Sequence, residues 1–112
     1  MERYFVPEIL DVIRREIQKA GGKEVLFFAW TDGECRIERV QPIARGTAEC
    51  VAVPLEQSFL PDAIIHNHPD GVLEPSEHDM RVASILAGKG VGFLIVDNDM
   101  SGAYAVVEPV LK

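Results

Sequence analysis

Basic residues are the first shortage in this chain. Eleven Lys and Arg stand against eighteen Asp and Glu, a formal charge of −7. A surface that grips a phosphate backbone usually clusters its cations, so direct nucleic-acid contact is not expected. A role beside nucleic acid, through a partner or a fused domain, stays open. Cysteine is nearly missing as well: Cys35 and Cys50 form no Cys-x-x-Cys pair, which removes the common zinc-ribbon and dithiol redox designs. Each falls in an expected strand, where a small packed hydrophobe is its ordinary role. A disulfide between neighbouring strands would be unusual in a cytosolic protein. No stretch approaches the roughly 20 apolar residues of a membrane span, and no apolar run follows a basic start as in a secretory signal. The expectation is a cytoplasmic protein without membrane contact.

What the chain does have is the material for one core. Its 112 residues are 47% hydrophobic, enough for a single domain that buries roughly two thirds of its unfolded surface. Val6, Ile9, Leu10, Ile13 and Ile17 recur at three- and four-residue steps, predicting an amphipathic helix over Val6–Ala20. Pro7 suits its first turn and Gly21-Gly22 its end. Lys23–Thr31 reads as a buried strand with Trp30 in the core, and Asp32-Gly33 as a hairpin turn. Further strands are expected over Cys35–Ile43, Thr47–Val53, Ala63–His68, Gly92–Asp97 and Ala103–Val107. Pro54–Pro61 allows a turn of helix at most. A second helix is expected over Glu77–Ala87 with Val82, Ile85 and Leu86 inward, and Asp97-Asn98-Asp99 opens the last hairpin. This order of elements predicts an α+β or α/β single domain in which helices cover a sheet. There is no repeat, low-complexity tract or internal linker.

Chemistry concentrates in His66-Asn67-His68-Pro69 and Pro75-Ser76-Glu77-His78-Asp79, a pattern of His-x-His-Pro-x6-Ser-x2-Asp. Alternate strand residues share a face, so His66 and His68 stand roughly 6–7 Å apart at Cα and can converge on one ion. Asn67 takes the other face. Asp79, one turn into the next helix, offers a third ligand, and three protein ligands leave a catalytic position open. Taken alone, Ser76-Glu77-His78-Asp79 is a helix capping box, and two strand histidines are a polar surface pair. Their conjunction across a short Pro/Gly loop is what points to metal. His78 is expected to face solvent. Metal-assisted hydrolysis also needs a carboxylate outside the ligand set to carry a proton. Glu24 leads because it opens the first buried strand, while Glu34, Glu49, Glu56 and Glu74 compete on sequence alone. The acidic turn around Asp97 lacks the regular oxygen spacing of a calcium loop.

Glu24, His66, His68, Ser76 and Asp79 together resemble the signature of the JAMM (MPN+) metalloprotease family, and the resemblance covers nearly the whole chain. It implies a cytidine-deaminase-like mixed β-sheet flanked by helices. It implies Zn2+ on His66, His68 and Asp79, with Glu24 as general base and Ser76 as oxyanion donor. The implied reaction is hydrolysis of a peptide or isopeptide bond, the usual substrates being ubiquitin-like or sulfur-carrier proteins cut after a C-terminal Gly-Gly. Many members carry Ser or Thr between the histidines. Asn67, the Asp70-Gly71 loop and Glu74-Pro75-Ser76 look more like the RadC-like branch, associated with DNA repair. The alternative function is thus a RadC-like binding or accessory module fused to a DNA-repair enzyme. A zinc deaminase would need a Pro-Cys-x-x-Cys pair, which this sequence lacks. A His-x-His amidohydrolase would need a barrel of about 250 residues. Oligomeric state is not encoded in any pattern of this sequence.

Overall fold

The computed structural model describes residues 1, 3–45 and 60–110. Helix α1 spans Pro7–Lys19, followed by strands β1 (Val25–Thr31), β2 (Ile37–Arg45) and β3 (Ala63–Asn67). Helix α2 spans Glu77–Gly88, and strands β4 (Gly92–Val96) and β5 (Ala103–Val107) complete the set. The expected strand over 47–53 and most of the Pro54–Pro61 stretch, with Glu49, Cys50 and Glu56, lie outside the described residues.

The strands form one mixed sheet in the order β2-β1-β3-β4-β5. Neighbours run antiparallel except β3 and β4, which are parallel. A parallel pair needs a crossover, and α2 supplies it. β3 lies at the centre, and all five of its residues are buried. Its alternation splits the molecule into two apolar layers. Ala63 and Ile65 join Ile9, Ile13, Ile17, Val25, Phe27 and Leu94 in the core beneath α1. Ile64 joins Leu26, Ala83, Leu86 and Phe93 beneath α2. The fold is therefore α+β, a mixed sheet covered by one helix on each face, as the order of elements predicts.

Local chemistry explains the boundaries. Pro7 occupies the first turn of α1, and Ile9, Ile13 and Ile17 are its buried stripe. The helix ends at Gly21 and Gly22, both at positive φ, where the Gly22 N–H donates to the Ile17 carbonyl. These two residues meet the left-handed requirement of a helix stop. The β1–β2 turn is closed by Asp32, whose Oδ1 accepts the Glu34 and Arg36 N–H groups, each at 2.9 Å.

Three expectations fail here, for separable reasons. Cys35 lies in that turn, not in a strand, at φ 66°; its Sγ donates to the Pro109 carbonyl. Turn closure by Asp32 outweighs its apolar preference. Trp30 is only half-buried, with the Arg39 guanidinium 3.8 Å above its ring. Its neighbour on the edge strand offers a cation face in place of core packing. Ile85 points outward at 60% exposure, while Ala83 takes the inward position. α2 crosses the sheet at its Ala83–Leu86 side, so the narrow face goes inward and the larger side chain is left in water.

This burial pattern predicts opposite outcomes for two isoleucines. Ile13→Ala should cost about 2–5 kcal/mol by emptying a fully enclosed position, whereas Ile85→Ala should stay within about 0.5 kcal/mol of the parent. Urea unfolding of the metal-free protein measures both.

Candidate metal centre

Among the described residues, the buried polar side chains are His66, Asn67 and Asp79, and all gather at one end of β3. A buried polar atom is costly unless paired, so this end of the strand is built around specific partners. It is also the carboxyl end of a strand in the parallel pair, facing the start of the crossover helix, where open sheets usually place ligands.

His66 is the fourth residue of β3 and pairs with Ile95 of β4. Its ring stacks on Phe93 at 5.3 Å with planes 8° apart, which fixes the imidazole plane. His68 lies just past the strand, where its N–H donates to the Val96 carbonyl at 2.9 Å and prolongs the ladder. The two imidazoles meet edge to face, centroids 4.9 Å apart. Asp79 comes from the first turn of α2. Its Oδ1 lies 3.0 Å from His66 Nε2 and its Oδ2 3.0 Å from His68 Nε2.

The helix start is held by the expected capping box. Ser76 Oγ accepts the Asp79 N–H at 3.1 Å, and the Ser76 N–H donates to Asp79 Oδ2 at 2.9 Å. The cap thus aims the carboxylate as well as starting the helix. Burial alone pushes the Asp79 carboxyl up, but the His66 ring and the Ser76 N–H outweigh it and hold the group well below the usual carboxylate range.

The donor set fits a metal ion. Ligand atoms of His66, His68 and Asp79 lie within 4.8 Å of one another. His68 Nδ1 is 2.7 Å from the Val72 carbonyl, which can only accept, so Nδ1 carries a proton. His68 Nε2 then faces a carboxylate oxygen, and only a second proton or a cation between them prevents repulsion. Carbonyl-to-imidazole bonds of this kind set the tautomer of metal-ligating histidines. His66 Nε2 is buried with no hydrogen-bond partner among the described residues, despite its closeness to Asp79. A cation held between the three side chains would satisfy it in this geometry.

The cleft above the triad, about 410 Å³, is lined by Glu24, His66, His68, Pro69, Asp70, Ser76 and Asp79. All five residues singled out from the sequence line it. Glu24 stands just before β1 with its side chain 17% exposed, Oε2 3.7 Å from His66 Nδ1. It is close to the triad without belonging to the converging group. Glu74 does not line the cleft, and Glu34 lies in the distant β1–β2 turn. His78 is half-buried, not solvent-facing, and its Nε2 has no partner among the described residues.

Sequence reasoning passed over Phe93, the Val72 carbonyl, Asp70 and Asn98. A phenylalanine in an apolar run, a backbone carbonyl and two turn residues carry no periodic signal. Ser76→Ala should cost about 1 kcal/mol of stability as a lost helix cap, and Ser76→Thr should recover most of it. Thermal unfolding of the metal-free protein tests this.

A profile of the RadC-like JAB domain family matches residues 6–98. That span contains both helices and every residue of the cleft. Comparison with curated proteins finds no match. No helix among the described residues is long and apolar enough to cross a membrane. With the family profile matched over most of its length and a His-His-Asp group placed to hold a metal ion, the chain belongs to the RadC-like JAB domain family.

Proposed function

We propose that this domain is a zinc-dependent hydrolase of peptide or isopeptide bonds, acting in the cytoplasm. The observation that carries the reading is the convergence of His66, His68 and Asp79 beneath an open cleft, with His66 Nε2 otherwise unsatisfied among the described residues. Two imidazoles and one carboxylate form a three-ligand set of the catalytic type. Zinc held there supplies Lewis acidity, which polarises a carbonyl and acidifies water.

The remaining steps fall to the chain's own groups. Glu24, outside the ligand set, takes a proton from the attacking water and returns it to the leaving amine, so the C–N bond breaks with the proton balance closed. Ser76 Oγ already accepts the Asp79 N–H. A hydroxyl can accept and donate together, so its O–H remains free to stabilise the developing oxyanion. The proposed substrate is a ubiquitin-like or sulfur-carrier protein cut after its C-terminal Gly-Gly, an extended tail narrow enough for a cleft of this size.

The match to the RadC-like family favours a second reading, in which the domain is a binding or accessory module beside a DNA-repair enzyme. The acidic cleft lining and the net charge of −7 argue for contact through protein, not through phosphate. One set of variants separates the two. Purified protein should hold close to one zinc, and His68→Ala or Asp79→Ala should lose it. Glu24→Gln should keep the metal yet reduce cleavage of Gly-Gly-tailed fusions by at least about a hundredfold, the usual scale of a lost acid–base group. Cleavage by Glu24→Gln at the parent rate would remove Glu24 from the reaction. Bound zinc with no turnover on any fusion would favour the module.

A further inference from the structure

Asn67 stands between two proposed metal ligands, yet its side chain points to the opposite face of the sheet and is fully buried. Neighbouring positions on that face, Ala63 and Ile65, are apolar core. A buried amide there is costly unless each of its groups is bonded. Two of its side-chain bonds go to the backbone on either side of Glu24, and a third goes to Asn98.

Asn67 Oδ1 accepts the Val25 N–H at 2.8 Å, and its Nδ2 donates to the Lys23 carbonyl at 3.2 Å. These are the backbone groups on either side of Glu24. The same Nδ2 donates to Asn98 Oδ1 at 2.6 Å, and Asn98 Nδ2 donates to the Gly22 carbonyl at 2.8 Å. Two amide side chains from β3 and the β4–β5 turn therefore grip the segment 22–25 at three backbone points. Among the described residues the sheet does not reach Glu24: the β1–β3 pairing ends at Leu26↔His66 and the β1–β2 pairing at Val25↔Arg45. Side-chain hydrogen bonds take over where the ladder stops.

We propose that Asn67 and Asn98 are a positioning pair for Glu24. They fix its backbone against the strand that carries His66 and leads into His68, which holds its carboxylate beside the triad and outside it. The proposal rests on Glu24 being the proton carrier argued above. The geometry has a direct rationale: a proton carrier displaced by about 1 Å loses much of its advantage, and a residue ahead of a strand has no ladder to hold it. Asn67 shares its backbone with both histidines, so one residue links the position of the base to the position of the metal ligands. Asn98 does not touch the cleft, whose lining it does not join.

The test compares the zinc-loaded parent with Asn98→Ala and Asn67→Ser. Asn98→Ala is the decisive variant. It leaves the Asn67–Val25 bond in place and removes only a half-buried side chain, so folding should survive. Amide exchange at Val25 should accelerate by about tenfold in Asn98→Ala through local opening, while the other β1 and β3 amides stay at parent rates. Three-bond couplings should show Glu24 χ1 passing from one rotamer to an average, with zinc affinity held within about twofold because the ligands are untouched. On any fusion that the parent cleaves, kcat should fall about tenfold with KM unchanged. Asn67→Ser, with a shorter side chain, should show the same pattern more strongly. Parent-like Val25 exchange and a single Glu24 rotamer in Asn98→Ala would overturn the proposal. So would uniform acceleration across β1 and β3, the mark of a merely structural bond. If the parent binds zinc and cleaves nothing, the hydrolase reading falls, and the exchange and rotamer data alone decide whether the pair fixes Glu24.

Discussion

The constraint behind this structure is the burial of polar groups at the end of its central strand. β3 is enclosed on both faces, and an apolar residue at each position would satisfy it most simply. The chain instead places His66 and Asn67 there, one toward each face, with specific groups set against each; Asn67 is fully bonded, and His66 Nε2 is left facing the Asp79 carboxylate. On the α2 face the partners are Asp79 and the stacked ring of Phe93; on the α1 face they are the backbone around Glu24 and the Asn98 amide. The cleft, the position of Glu24 and the start of α2 are all built around what these two residues face.

Topology makes the arrangement economical. Because β3 and β4 run parallel, the chain must cross over through α2, and the loop from His68 to Ser76 brings the helix start back to the end of the strand. The capping box then serves two purposes at once. It satisfies the first turn of the helix, and it turns the Asp79 carboxylate toward the two imidazoles. A motif that starts many helices without a metal becomes part of a ligand set through its location.

Membership in the RadC-like JAB domain family brings together the metal group and the residue between the histidines. The His-His-Asp set is placed to hold a metal ion, and two further carboxylates, Glu24 and Asp70, line the cleft beside it. In sequence, Asn67 is a residue by which the chain resembles the RadC-like branch. In the folded chain it bonds the backbone on both sides of Glu24, which gives the choice of an amide a physical reason.

The sequence by itself determined the order of the described elements, the α1 stripe of Ile9, Ile13 and Ile17, the capping box and, together with the family pattern, five of the seven residues that line the cleft. These are legible because they rest on short-range rules: helical period, strand alternation and cap chemistry act within a few residues. Tertiary structure alone decided the rest. That Glu24 lies 3.7 Å from His66 depends on β1 pairing antiparallel with β3, a contact across forty-two positions that no local pattern encodes. The pairing of Asn67 with Asn98 depends on β4 lying beside β3. The outward turn of Ile85 depends on which side of α2 meets the sheet. Local preferences act through neighbours in sequence, whereas a site is assembled from neighbours in space, and only the completed sheet makes the second kind.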